Sequence, residues 1–197
     1  MENKEKLLKL MEKNNGLLTT TLLKENGISR EYLNILVKEG KLEKVSRGIY
    51  IDLNSIEDNI FNFQYRFKKG IYSHGTALYL HNLTDRTPMR YTMTFPRKYN
   101  LTNPKKSNIN TYSIVEDKYL IGKEEIKSNL GNILYVYSME RTLCDIVRVN
   151  SRLEKEQVIN AFKEYVKRND KRLDILYEYA KFFKVYNDVK KYIEVLL

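Results

Sequence analysis

The chain has 197 residues, a formal net charge of +10, 42% hydrophobic residues and 30% charged residues. That length holds one large or two modest domains, and the apolar share is enough for a buried core, which argues against disorder. No apolar run approaches membrane-spanning length, the N-terminal MENKEKLLKLMEK has no apolar signal core, and Cys144 is the single cysteine. The expectation is therefore a cytoplasmic protein without membrane span, targeting segment, internal disulfide or cysteine-rich zinc site.

Leu7, Leu8, Leu10 and Met11 recur at helical spacing and predict a first helix over residues 2–14, stopped by Asn14-Asn15-Gly16. Leu17-Leu18 reads as a short extended link. Thr19 to Thr21 offer capping hydroxyls for a second helix to about Glu25, and Asn26-Gly27 is a strong turn signal. Ser29 is the expected cap of a third helix, Arg30 to Glu39. On that helix Tyr32, Leu33, Leu36 and Val37 share one face, while Glu31, Asn34, Ile35 and Lys38 share the other, led by Arg30. Gly40 stops it. Leu42 to Val45, the turn Ser46-Arg47-Gly48 and Ile49 to Ile51 predict a hairpin with a basic tip. Order and spacing together predict a winged helix-turn-helix over residues 1–54.

A helix is expected over residues 56–69, with Ile56, Ile60, Phe63 and Phe67 on one stripe, and another from Gly75 to Leu83 capped by Ser73. Strands are expected at Tyr91 to Phe95, ended by Pro96, then at Ile109 to Val115, Tyr119 to Ile121 and Ile133 to Tyr137. Leu101 to Ser107 reads as a loop. Four helices follow, beginning with Met139 to Val149. Strands followed by helices predict a mixed α+β domain over residues 55–197, so the fold class is α+β with an N-terminal winged helix-turn-helix.

A basic balance favours polyanionic partners, chiefly nucleic acid. Residues 1–54 carry 10 Lys+Arg against 8 Asp+Glu, a net of +2, while residues 55–197 carry 25 against 17, a net of +8. The expected DNA readers are Ser29, Arg30, Asn34 and Lys38, because arginine can hold guanine and asparagine can hold adenine through paired hydrogen bonds. Thr19 and Thr20 are candidates for phosphate at a helix N-terminus, and Lys44, Ser46 and Arg47 for backbone contact from the wing. His74 and His81 share a helix face but stand two turns apart, too far to share a metal easily. Glu116-Asp117-Lys118, with Asp85 upstream, is the one string that suggests a magnesium-dependent nuclease; it reads more simply as a solvated hairpin tip. Cys144 reads as an inert buried thiol. No cofactor, metal site or catalytic set is expected.

The runs ISREYLNILVKEGKLEKVSRGIY, GIYSHGTALYLHNLTDRTP and YTMTFPRKYN resemble the AbiEi-type antitoxins of type IV toxin–antitoxin (abortive infection) systems. The Ser73 to Ala77 segment with the Leu83 to Pro88 turn is the specific part of the likeness. The resemblance implies a repressor that binds inverted repeats in the duplex DNA of its own promoter. It also implies an antitoxin domain that counteracts a co-encoded nucleotidyltransferase-like toxin without a stable complex. Carried over by position, Ser73, His74, Arg86, Arg90, Arg97 and Lys98 would belong to that antitoxin domain. A monomer, or cooperative self-association on DNA, is expected. The rival expectations are a DNA-targeted nuclease and a protein-contact adaptor.

Overall fold

The structure is a computed structural model that describes residues 2–148 and 151–196. It is a mixed α+β protein, and the chain divides into two compact units. The first comprises Met1–Arg66 with Ser128–Asn132, the second Phe67–Lys127 with Ile133–Leu197. The first unit thus runs past Asn54, the end expected from the order and spacing of its elements. The reason is helix α4, Asn59–Arg66. Its Tyr65 hydroxyl lies 3.1 Å from Thr20 Oγ1 and 2.8 Å from Thr21 Oγ1, and it accepts the Thr21 amide at 3.3 Å.

The first unit begins with α1 (Glu2–Lys13), β1 (Leu17–Thr19), α2 (Thr20–Glu25) and α3 (Glu31–Lys38). Strands β2 (Leu42–Ser46) and β3 (Ile49–Asp52) follow, and the sheet order is β1-β3-β2, all antiparallel. Each of the three helices ends in the same way. Asn15 (φ 51°), Gly27 (φ 67°) and Gly40 (φ 66°) turn left-handed. The next amide then reaches back: Gly16 to Met11 O, Ile28 to Leu23 O and Lys41 to Leu36 O, each at 2.9 Å. This closes the orphan carbonyls of each helix end. Leu7, Leu18, Leu23, Ile28, Leu33, Leu36, Leu42 and Tyr50 form the core.

The second unit holds β4 (Ile71–Tyr72), α5 (His74–Leu80), β5 (Thr92–Pro96), α6 (Thr102–Lys106), β6 (Asn110–Ile114), α7 (Glu116–Tyr119), β7 (Lys123–Lys127) and β8 (Ile133–Tyr137). The strands form one mixed sheet in the order β6-β5-β4-β8-β7. Helices α8 (Met139–Ile146), α9 (Lys155–Lys167), α10 (Leu173–Phe182) and α11 (Tyr186–Leu196) complete it. Its core is built from Leu78, Leu143, Cys144, Phe162, Tyr165, Leu176, Val189 and Ile193, among others.

Several expectations are corrected. The helix expected over 56–69 is only α4, because Asp58 accepts the Phe61 amide at 3.1 Å and so starts the helix late. Ile56 is 78% exposed and lies outside it, while Asn62 and Gln64 are the buried residues of α4. Arg30, not Ser29, is the N-cap of α3; the Ser29 hydroxyl instead accepts the Glu31 amide at 3.3 Å. Pro96 is the last residue of β5 rather than its stop. The 101–107 stretch contains α6, whose Asn100 side chain accepts the Thr102 amide at 2.9 Å. Tyr119 lies in α7 rather than a strand, so Glu116-Asp117-Lys118 is a helical turn, not a hairpin tip. The strand is instead β7, KEEIK, whose Lys123, Glu125 and Lys127 are exposed, as suits a charged edge. Val149, the expected end of the helix opening at Met139, lies outside the described residues.

Candidate nucleic-acid interface

The α2–α3 pair is set by local hydrogen bonding. Thr19 is extended (φ −123°, ψ 153°), and its side chain accepts the Leu22 amide at 3.1 Å, the geometry of a helix N-cap. Its hydroxyl is therefore used within the fold, and Thr19 is buried. Thr20 also faces inward. Its amide donates to Gly48 O at 2.9 Å, and its hydroxyl meets Tyr65. Neither threonine offers the outward hydroxyl that phosphate contact would need. The backbone carries φ +82° at Gly48, and a Cβ there would stand 2.9 Å from Thr20 Oγ1. Glycine thus lets the hairpin turn and also lets it sit close on α2.

Helix α3 separates its faces as its spacing requires. Leu33 and Leu36 are buried, while Glu31, Asn34, Ile35 and Lys38 are exposed. Ser29 and Arg30 are exposed on the turn before it. Lys44 and Arg47 are exposed on the β2–β3 hairpin, whose register slips between Lys44 and Ser46. The Ser46 hydroxyl is buried and has no hydrogen-bond partner. Among the described residues, Arg30, Lys38, Lys44 and Arg47 form no ion pair. Lys4 and Lys41 differ: both bind Glu39, at 2.8 Å and 2.9 Å, and hold its carboxyl below the usual range, Lys4 contributing most. The arrangement can present four unneutralised cations and an amide side chain to a polyanion, with Ile35 at 44% exposure able to meet a thymine methyl.

The second-unit candidates are placed in three ways. Ser73 and His74 are buried, and Thr94 Oγ1 donates to Ser73 Oγ at 2.8 Å. His74 Nδ1 lies 3.1 Å from that same oxygen. His74 opens α5 with φ 50°, and its ring stacks on Tyr112 at 3.8 Å. Burial pushes its pKa down to about 4; Asp145 opposes this, and Arg141, Arg148 and Arg152 add to it. The imidazole is therefore neutral at pH 7. Arg86 and Arg90 border one groove in the loop after α5, and Arg86 reaches Glu154 at 3.3 Å. Arg97 and Lys98 are exposed just after β5. His81 caps the far end of α5, with Nε2 2.8 Å from Tyr137 O. Among the described residues, no group of three or more His, Cys, Asp or Glu is arranged to hold a metal. Nor is any helix long and apolar enough to cross a membrane.

Sequence reading passed over Arg141, Asp145 and Arg148, which the structure gathers beside His74 and Tyr112 around one recess. The available signal was Arg141, Asp145 and Arg148 at i, i+4 and i+7, one helical face of a stretch that also carries Glu140.

The molecule is thus an α+β protein whose first unit pairs a helix with an exposed polar face and a basic hairpin. Residues 5–51 match the family described as "Transcriptional regulator, AbiEi antitoxin". No curated protein matches the chain significantly. Among solved structures, the RV2827C protein from Mycobacterium tuberculosis superposes with a TM-score of 0.53 at 14% identity, covering 90% of this chain and 72% of that one. At that identity the likeness concerns the fold alone.

Proposed function

We propose that the N-terminal unit is a winged helix-turn-helix that represses the chain's own operon by binding inverted repeats in its promoter. The observation that carries this reading is the outward face of α3. Arg30, Asn34 and Lys38 are exposed there, the two cations without an ion pair, beside Lys44 and Arg47 on the hairpin; Asn34, Lys38 and Lys44 lie within helix or strand, Arg30 on the turn before α3 and Arg47 in the hairpin turn. Arg30 and Asn34 read base edges; Lys38, Lys44 and Arg47 hold phosphate. Thr19 and Thr20 serve the fold instead, and Ser29 lies beside the readers.

The whole chain, in this reading, is the antitoxin of a type IV system acting in the cytoplasm against a nucleotidyltransferase-like toxin encoded beside it, and the second unit carries the neutralising role. The family match to residues 5–51 supports it. Fluorescence anisotropy on a duplex from the chain's own promoter tests the first half. Retention of submicromolar binding over a scrambled duplex at 0.1 M salt is the expected result, and equal affinity for both duplexes refutes it. Co-expression with the neighbouring gene product tests the second half: growth must be restored by the intact chain, without stable co-purification.

A further inference from the structure

The second unit contains a charged cluster that promoter binding does not use. Every residue of α8 from Met139 to Ile146 is buried, yet the helix carries Glu140, Arg141 and Asp145. Glu140 is matched by Arg172 Nη2 at 2.7 Å and the Tyr165 hydroxyl at 3.2 Å. Arg141 is held on almost every side. Its Nε donates to Asp145 at 3.0 Å, and its Nη1 donates to Lys118 O at 2.9 Å and Ile121 O at 2.8 Å. Its guanidinium carbon stands 4.2 Å from the Tyr137 ring centre and 4.0 Å from that of Phe183. One nitrogen is left over: Nη2 is buried without a hydrogen-bond partner. A buried cationic donor left unmatched is costly.

Arg141 forms part of the wall of a recess of about 120 Å³ with His74, Tyr112, Ser113, Asp145 and Arg148. Asp145 is shared by two cations, since Arg148 Nη1 also lies 3.8 Å from it. Arg152 adds a third cation 5.6 Å from the Tyr112 ring centre. Two guanidinium groups of the wall therefore share one carboxylate, with a third nearby, and the excess is positive. With liquid water taking about 30 Å³ per molecule, the recess holds roughly four atoms of oxygen size. That suits a tetrahedral oxyanion. Ser113 also borders an adjoining groove of about 470 Å³ that Arg90, Lys105 and Arg152 line, so a larger remainder has somewhere to lie.

We propose that this recess binds the phosphoryl group of a nucleotide, with Arg148 as the exposed donor and the buried Arg141 guanidinium supplying positive charge from the wall, and that the groove beyond Ser113 takes the rest of the ligand. Asp145 keeps its bond to Arg141 Nε and orients the guanidinium. Planar guanidinium groups suit phosphate oxygens in this role. The inference is independent of promoter recognition, because it uses no residue of the first unit.

The test is isothermal titration of the full chain at fixed ionic strength with inorganic phosphate, each of the four common nucleoside 5′-monophosphates, and the matching nucleosides. At least one monophosphate should bind ten times or more tightly than its nucleoside. Arg148→Ala and Ser113→Asp, both at exposed positions, should each weaken that binding at least tenfold, and Arg148→Lys should recover part of it. The Arg141 side-chain resonances should shift on adding phosphate. Equal binding of nucleotide and nucleoside, or full affinity in both variants, overturns the proposal. A further arm uses a short single-stranded oligonucleotide with and without a 5′-phosphate. A gain confined to the phosphorylated strand assigns a nucleic-acid end, and no gain over the mononucleotide assigns a free nucleotide; both outcomes uphold the recess. Arg47→Ala should leave nucleotide binding intact, so failure of promoter binding and failure of the recess are separable.

Discussion

Arg47→Ala tests the reading of the first unit most directly, because Arg47 stands exposed at the hairpin tip and no hydrogen bond of the fold depends on its side chain. Three exposed cations assigned to phosphate, Lys38, Lys44 and Arg47, face outward without an ion pair. If each neutralises one phosphate, the affinity of one protomer falls with a log–log salt slope of about −2.7, at about −0.9 per contact. Raising salt from 50 to 200 mM then weakens the parent about 40-fold, whereas two contacts give a slope of about −1.8 and a loss of about 12-fold. The variant should weaken promoter and scrambled duplexes alike, since a phosphate contact carries no base information. Anisotropy titrations across a sodium chloride series, with melting temperature as a fold control, read both quantities. An unchanged slope in Arg47→Ala would show that the tip does not touch DNA. A loss confined to the promoter sequence would show that it reads bases, and the assignment of phosphate to the wing would fall.

Three further outcomes follow from the second unit. Gly122→Ala should cost about 2–4 kcal/mol in urea unfolding, because it combines φ +72° with a new Cβ 2.6 Å from the pinned Arg141 Cβ, whereas Gly131→Ala, at φ +83° with nothing within 4 Å, should cost only about 1 kcal/mol; equal losses would refute the packing argument. The His74 pKa, lowered from 6.5 to about 4, means the unfolded chain takes up a proton that the folded one refuses. Stability should therefore fall as pH drops through 6.5 toward 4, by up to about 3 kcal/mol, and His74→Asn should flatten that part of the profile in pH-dependent unfolding. Burial foremost, and then Asp145, push the Cys144 thiol up to about 12, so it should resist a thiol reagent at pH 8 in the folded protein and react fully in denaturant.

How much of this was legible in the sequence depends on whether an element answers to its neighbours in the chain or to distant ones. Helices α1 to α3 were legible because their signals are local. Leucines at helical spacing mark the buried face, and Asn or Gly follows each helix where the backbone turns left-handed. The outward face of α3 followed from the same periodicity. The misplacements lie where distant groups decide. Helix α4 starts at Asn59 because the Asp58 carboxylate caps it, and the same carboxylate also accepts from Ser128 and Asn132, more than 65 positions away. An edge strand such as β7 pairs on one side only, so Lys123, Glu125 and Lys127 face solvent and leave no apolar run to detect.

Helix α8 shows why a site can be less legible than the fold around it. Its spacing predicted a helix, and one exists, but amphipathic reading assigns its charges to solvent. The structure buries all of them: Glu140 meets Arg172 on the turn before α10 and Arg141 meets the carbonyls that close α7, partners that sequence distance conceals, while Asp145 is held by Arg141 one turn away. Gly122 has no side chain because Arg141 Cβ occupies that space. A hydrophobic side chain in place of Arg141 would be the cheaper way to fill a core, since burying an ion pair rarely adds stability over apolar packing. A guanidinium there, with one nitrogen left unmatched beside a recess richer in positive than negative charge, is the observation on which the proposed binding role rests.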